Sequence, residues 1–464
     1  MRPLEILFPL LLVIYLLWPY PRPLVIRFVP AIALIVILIH FFVEGYRWQM
    51  VPLYALTLIL TMLAFFVRDI KPIASISTLR LVQGGAFILL LLSTALPVLL
   101  PVPKIPTPGG PFQIGTVLYE FTDTARKELY SGKDEARRFM IQAWYPAEVK
   151  PSDQRASWMS NADIYAPAVA SHIGLPSFFL DHLALVKIPA YKNPQVAQTE
   201  DGHPVIIFSH GWNGFNAQNT GQALELASHG FVVIAVQHTY GAVTTVFQDG
   251  TVIPNNPKAL PENADDPNYE VVARKLVDQW AGDISFTLDQ FEGLNKEAGS
   301  IFFGTLDMER IGVYGHSTGG GAAIQFCGTD SRCKALLGMD PFMRPVSAEV
   351  IANGVPQPSF FMFSQGWADL MDSKNNQLFN RFYPNVLNSK GAIVINGTKH
   401  FDFSDLPLLS PIAPQLGLKG PLNGKRVTEI VDSYLLGFFE MTLNNKSSKL
   451  FDGSFDDFSE VKVR

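Results

Sequence analysis

The chain has 464 residues, of which 48% are hydrophobic and only 17% charged, against about 25% charged in an ordinary soluble domain. Its mean hydropathy of +0.19 argues against a disordered or purely soluble protein. A formal net charge of −5 argues against a nucleic-acid binder, and two cysteines are too few for a disulfide scaffold or a four-cysteine zinc site.

Residues 1–104 carry few charges and slightly more basic than acidic groups; the remainder is mildly acidic. Four apolar runs predict a transmembrane region over 1–104, with helices at 4–20, 24–43, 51–67 and 83–101. Trp18, Tyr20, Tyr46 and Trp48 sit at the ends of these runs, where aromatic rings favour the membrane interface. A cleaved leader is the other reading of the first run. It lacks a small-residue cleavage site and is followed by Pro19-Tyr20-Pro21-Arg22-Pro23. Arg22, Arg27, Arg68, Lys71 and Arg80 lie on one side of the expected spans, and Arg2, Arg47 and Lys104 on the other. The richer side is expected to be cytoplasmic, which puts the large following domain outside the cytoplasm.

A Pro-rich linker is expected over 105–111, a soluble domain over 112–445 and a polar, frayed tail over 446–464. Within the domain, short apolar runs read as buried strands: 139–145, Pro204–Ser209, Phe231–Val236, Ile311–Tyr314, Lys334–Met339, Ser359–Phe363 and Ala392–Ile395. Helical patterns fall at 217–229, 268–292, 318–327 and 424–443. The alternation predicts an α/β fold with a mostly parallel sheet and a site at the strands' carboxyl ends.

The sharpest motif is Gly315-His316-Ser317-Thr318-Gly319-Gly320-Gly321, between a strand and a small-residue helix. A serine on such a tight strand–turn–helix bend is a candidate nucleophile, and it needs small neighbours at minus two and plus two. A phosphate loop is the competing reading, but the Walker lysine and the G-x-G-x-x-G pattern are missing. A serine nucleophile needs a base and an orienting acid. His400 is the only histidine after Ser317, which makes it the candidate base. Asp340 and Asp369 each follow a later strand, and either is placed to be the acid. Asp402 and Asp405 lie too near His400 in sequence for that role. The oxyanion donors are expected to be the amides of Thr318 and of Trp212, the latter in the turn Phe208-Ser209-His210-Gly211-Trp212-Asn213-Gly214. His210 and His316 read as turn and packing histidines. His203, His229 and His238 lack companions at ligand spacing, so neither a metal nor another cofactor is expected. Cys327 and Cys333 flank a turn-rich segment; they suit either a short-loop disulfide in an oxidising compartment or two reduced packing thiols.

Several segments together resemble the platelet-activating-factor acetylhydrolase family, its plasma and type II intracellular enzymes. They are Phe-Ser-His-Gly at 208–211, Leu-Ala-Ser-His-Gly-Phe-Val-Val at 226–233, Gly-His-Ser-Thr-Gly-Gly at 315–320, Met339-Asp340-Pro341-Phe342, and the block Gly397–Leu406. The resemblance spans about 135–445. It implies an α/β-hydrolase with a Ser317/Asp340/His400 triad and no calcium requirement, acting on short or oxidised acyl esters of glycerophospholipids. It favours Asp340 over Asp369. The four expected spans depart from the animal enzymes and suggest a membrane-anchored microbial relative. The expected partners are an ester or lipid substrate and the membrane. The alternatives are a cutinase-like polyesterase, an acyltransferase using the same triad, and a non-catalytic membrane scaffold. Residues 152–198, rich in Pro, Ser and aromatics, are either a pocket cover or a surface excursion.

Overall fold

The computed structural model describes residues 1–19, 22–66, 76–452 and 458–464. Tyr20, Arg68 and Lys71, used above for span ends and loop charge, lie outside the described residues.

Four apolar helices form at the start of the chain: Pro3–Leu17, Val29–Val43, Val51–Phe66 and Ile76–Leu99. The expectation of four spans is corrected. Among the described residues, only the segments Trp48–Phe65 and Arg80–Leu99 are long and apolar enough to cross a membrane. Pro3–Leu17 and Val29–Val43 have 15 residues each. At 1.5 Å per residue that is about 22 Å, against a hydrocarbon core of about 30 Å. Pro19 and the break at Phe28 interrupt the helical periodicity that hydropathy alone carries through. The four helices share a small core of Phe8, Leu12, Ala33, Ile37, Leu53 and Leu60. They also leave large apolar side chains outward, among them Leu10, Phe42, Ile59 and Leu92.

The rest is built on one mixed sheet. Its spatial order is Val461–Val463, Ser389–Ile395, Ser359–Ser364, Ala335–Met339, Leu306–His316, His203–Ser209, Val232–Gln237, Ala136–Glu148, Ile114–Lys127, Lys187–Lys192 and Arg155–Ser157. The six strands from Ser389–Ile395 to Val232–Gln237 are mutually parallel. All seven residues of His203–Ser209 are buried, as a strand covered on both faces requires. Tyr269–Lys296 and Thr318–Thr329 cover one face, and Thr220–Ser228 and Gly424–Leu443 the other. In Gly424–Leu443 the buried Val427, Ile430, Val431, Tyr434 and Phe438 recur at helical spacing and form the sheet-facing stripe.

The chain runs outward from His203–Ser209 to Val232–Gln237, then crosses back to Leu306–His316 on the other side. This reversal of strand order opens a crevice at the carboxyl ends of the two central strands. Ser209 is paired with Gly315 there, which brings the turn at 210–214 beside the turn at 317.

Two segment boundaries differ from expectation. The proposed linker is laid on the domain: Gly109 N donates to Glu225 and Gly110 N to Ser228 Oγ. The tail expected to fray instead carries an edge strand, Val461–Val463, antiparallel to Ser389–Ile395. Phe458 and Val461 are buried, so two apolar residues in a polar stretch anchor it.

Candidate active site

Ser317 joins the strand Leu306–His316 to the helix Thr318–Thr329 with φ 56° and ψ −120°. A non-glycine residue there costs about 1–3 kcal/mol, which surrounding structure must hold. Ser317 N donates to Met339 O, and Ser317 O accepts from Phe342 N and Gly321 N. The neighbours must be glycine for steric reasons. A Cβ at Gly315 would lie 2.3 Å from Gly319 O, and one at Gly319 would lie 2.1 Å from Ser209 O. Both obstacles are backbone. Gly319→Ala is therefore expected to cost about 1–3 kcal/mol of stability or more through overpacking. Activity should fall with it as the 209–214 turn is pushed away; thermal unfolding and ester turnover measured on one preparation check this.

Asp340 follows the neighbouring strand and is fully buried. Its Oδ2 is 3.0 Å from His400 Nδ1. Ser364 N donates to Oδ1 at 2.8 Å and Ser364 Oγ to Oδ2 at 2.6 Å. Burial pushes Asp340 up to about 7 while the Ser364 donors pull it back, and burial pushes His400 down. The imidazole is uncharged at neutral pH, the form that can accept a proton. Asp369 is exposed at the end of the short helix Gln365–Ala368, so Asp340 and not Asp369 meets the histidine.

The His400 ring is clamped. Trp367 stacks on it at 4.4 Å and 14°, and His316 lies 4.4 Å away. His316 Nε2 donates to His400 O, while Gln218 Nε2 donates to His316 Nδ1. His316 is therefore a neutral packing histidine. Burial, its largest influence, holds it down at about 3. The sequence reading passed over Trp367 and Ser364, because only the fold carries them to a histidine more than thirty residues away.

The 209–214 turn closes on Ser317. A Cβ at Gly211 would lie 3.3 Å from Ser317 Cβ. Asn213 N and Gly214 N donate to Gly241 O and Gly211 O, so these two amides are already engaged, unlike the role expected of Trp212. Thr318 is buried at the first turn of its helix, where amides point outward along the axis. Behind the turn lies a buried chain that sequence spacing did not suggest. Asp283 Oδ2 is 2.9 Å from His238 Nδ1, and His238 Nε2 is 2.9 Å from Ser209 Oγ. His238 N donates to His210 Nε2, so His210 carries its proton on Nδ1 and donates to Gly211 O. Arg137 in turn grips Asp283 through two bonds of 3.1 and 2.6 Å. His210 is thus the turn histidine expected, and its place is set from below.

Ser317, His400, Gly211 and Trp212 line one cavity of about 100 Å³. Its other walls are largely apolar: Val169, Ile173 and Leu183 from the 152–198 segment, and Leu406, Leu409 and Leu418 from the loop after His400. That segment is thus a wall of the cavity. A larger cleft of about 400 Å³ lies across Met159 and Phe215 and is lined by Gln142, Asn161, Asn216 and Gln248, away from Ser317. Cys327, near the far end of the Ser317 helix, forms a disulfide with Cys333. Among the described residues, Glu5, His40 and Glu44 are the cluster with metal-binding spacing. Arg2 and Arg47 engage Glu5, and His40 bonds Glu44.

The sequence profile of the family described as platelet-activating factor acetylhydrolase, isoform II, matches residues 100–458. A platelet-activating factor acetylhydrolase of Cavia porcellus is 27% identical over 377 residues, covering 77% of this chain and 80% of the relative. A probable 1-alkyl-2-acetylglycerophosphocholine esterase of Arthroderma benhamiae is 24% identical over 390 residues, covering 77% and 92%. Among solved structures, a ferulic acid esterase from Streptomyces cinnamoneus superposes with a TM-score of 0.63 at 23% identity, covering 78% of this chain and 99% of the esterase. That likeness establishes the α/β-hydrolase fold. With 359 consecutive residues spanned by the family profile, the chain belongs to the platelet-activating factor acetylhydrolase, isoform II, family of carboxylic ester hydrolases.

Proposed function

We propose that this protein is a membrane-held serine esterase that cleaves short acyl groups from phospholipid-type esters through an acyl-enzyme. Ser317 Oγ attacks the ester carbonyl and His400 takes its proton. Asp340 holds the imidazole tautomer and stabilises its charge as it forms. The amides of Trp212 and Thr318 receive the oxyanion. His400 returns its proton to the leaving alcohol, and water, activated by the same imidazole, releases the acid. The observation that carries this reading is the strained Ser317 sharing a cavity wall with His400, which is bonded to the buried Asp340 at 3.0 Å. The small cavity of about 100 Å³ with largely apolar walls supports a short acyl group. The relatives' names supply the phospholipid class.

Trp48–Phe65 and Arg80–Leu99 are the proposed anchor, and their exposed apolar side chains support it, since soluble monomers rarely display so much. The Cys327–Cys333 bridge supports an extracytoplasmic, oxidising location for the domain.

The test is labelling of the detergent-solubilised full chain with a fluorophosphonate probe. Wild type is expected to label and Ser317→Ala to lose all labelling while keeping its thermal transition. Folded wild type that fails to label, and fails to hydrolyse p-nitrophenyl acetate, sinks the reading.

A further inference from the structure

The cavity that holds Ser317 is walled on two sides by segments that touch the apolar helices. The first wall is the 3-10 stretch Ser177–Leu185, which contributes Leu183. It rests on the loop that leads into Trp48–Phe65. Trp48 Nε1 donates to Phe179 O at 3.2 Å, and its ring meets Phe178 and Phe179 at 5.3 Å each. Gln49 Nε2 donates to His182 Nδ1 at 2.7 Å. The second wall is the loop after His400, which contributes Leu409 and Leu418. There Ser410 Oγ donates to Leu99 O, the last residue of Arg80–Leu99.

Trp48 and Leu99 belong to the same end of the helices. Arg47 proves the point: fully buried, it bonds both carboxylate oxygens of Glu5 and donates to Leu100 O at 2.6 Å. One polar clasp therefore gathers the start of one candidate span and the finish of the other. A tryptophan at the start of a span sits at the bilayer interface. Phe178, packed on that tryptophan and 50% exposed, is at the same level. Tyr46, on the same loop, is 58% exposed. Two independent contacts thus bring opposite walls of one cavity to the membrane ends of both helices. An ester diffusing in water needs no such arrangement.

We propose that the catalytic cavity opens at the surface of the bilayer that holds the helices, and that it is loaded sideways with an acyl ester resident in that bilayer, passing Phe178 and the 177–185 wall. The proposal rests on the esterase reading above. It adds where the substrate comes from: an amphiphile anchored in the same membrane, not a free ester. Phe178 and Tyr46 are the residues that touch the lipid surface. Trp48 and Gln49 hold the wall in register with it and act as positioning residues.

The test uses the full chain reconstituted in phosphatidylcholine nanodiscs. Its two native cysteines are joined to each other, so Phe178→Cys supplies a single free thiol for an environment-sensitive fluorophore. Lipids with a doxyl group near the headgroup are expected to quench that label. They should leave untouched a label at Leu387→Cys, 89% exposed just before the strand Ser389–Ile395, at the sheet end opposite the site. An unquenched label at 178 overturns the proposal; self-quenching between copies without doxyl quenching assigns the patch to a dimer contact instead. The second measurement compares substrates. Gln49→Leu and Trp48→Ala are expected to lower hydrolysis of a short-acyl phospholipid in nanodiscs about fivefold or more, and hydrolysis of aqueous p-nitrophenyl acetate less than about twofold. Equal losses on both substrates, or none on the phospholipid, overturn it. If wild type neither labels with fluorophosphonate nor turns over either ester, the esterase reading fails, and the quenching result alone still reports whether residue 178 meets lipid.

Discussion

Asp340→Asn is expected to lower kcat by about ten-thousandfold while the protein stays folded. The asparagine keeps the shape of the side chain and can still accept from Ser364 N. Its amide has lost the negative charge, however, and it offers His400 Nδ1 either a poor acceptor or a donor. A donor at that place forces the imidazole proton onto the nitrogen that must face Ser317, and the base is lost. The charge that steadies the imidazolium goes with it. Asp340 is fully buried with Ser364 Oγ 2.6 Å away, out of reach of bulk solvent. Asp369→Asn, at an exposed helix end, should leave kcat within about twofold. Burst kinetics on a p-nitrophenyl ester, run on both variants, separate these outcomes. A large loss in Asp369→Asn with Asp340→Asn nearly active would reverse the assignment of the acid.

The second large effect is on stability. Asp283→Ala is expected to destabilise the domain by about 3–5 kcal/mol, because it strips one of two carboxylate partners from a buried cation. Arg137 and Asp283 are both fully buried; burial pushes the Asp283 carboxyl up, but the Arg137 guanidinium and the hydrogen bonds from His238 and Arg137 outweigh it and hold the carboxyl far below the usual range. The Arg137 guanidinium would keep Glu128 and Thr239 O and lose two of its bonds. The damage does not stop at the ion pair. His238 loses the acceptor on Nδ1, and its Nε2 and backbone N are what fix Ser209 and His210. The 209–214 turn, proposed to hold the oxyanion, is expected to loosen, so the variant should lose kcat even at temperatures where it is folded. Chemical denaturation gives the first quantity and turnover well below the midpoint gives the second. A variant with normal kcat and only a lowered midpoint would confine the network to stability.

The bridge between these two predictions is the reversal of strand order at His203–Ser209. Adjacent parallel strands carry the 209–214 turn, Ser317 and Asp340 to one edge. His400 arrives two strands further on, and Ser364, on the strand between, ties Asp340 in place. The turn's underside is then pinned by residues from the second strand, the long helix Tyr269–Lys296 and Arg137 on the antiparallel strand. Site and scaffold share one hydrogen-bond system, and an error at Asp283 reaches Ser317 through backbone.

Much of this protein was legible in its residues alone. Buried parallel strands read as short apolar runs, so all seven anticipated strands formed, most within a few residues of their expected ends. The stripe over 424–443 gave its helix to the residue. The Ser317 turn was legible because close backbone approach demands glycines in fixed local places, and His400 because no other histidine follows. The choice between Asp340 and Asp369 was left to a resemblance, since both follow strands and only the sheet order says which one reaches His400. Hydropathy found the four apolar helices but overcounted the long ones, because proline breaks shorten a helix without changing its composition. The edge strand Val461–Val463, the Trp367 stack, the Asp283–His238–Ser209 chain and the contact of Trp48 with the cavity wall had no local signature. Each joins residues far apart in sequence through packing, a single hydrogen bond or a ladder register, and such pairings exist only once the chain has folded.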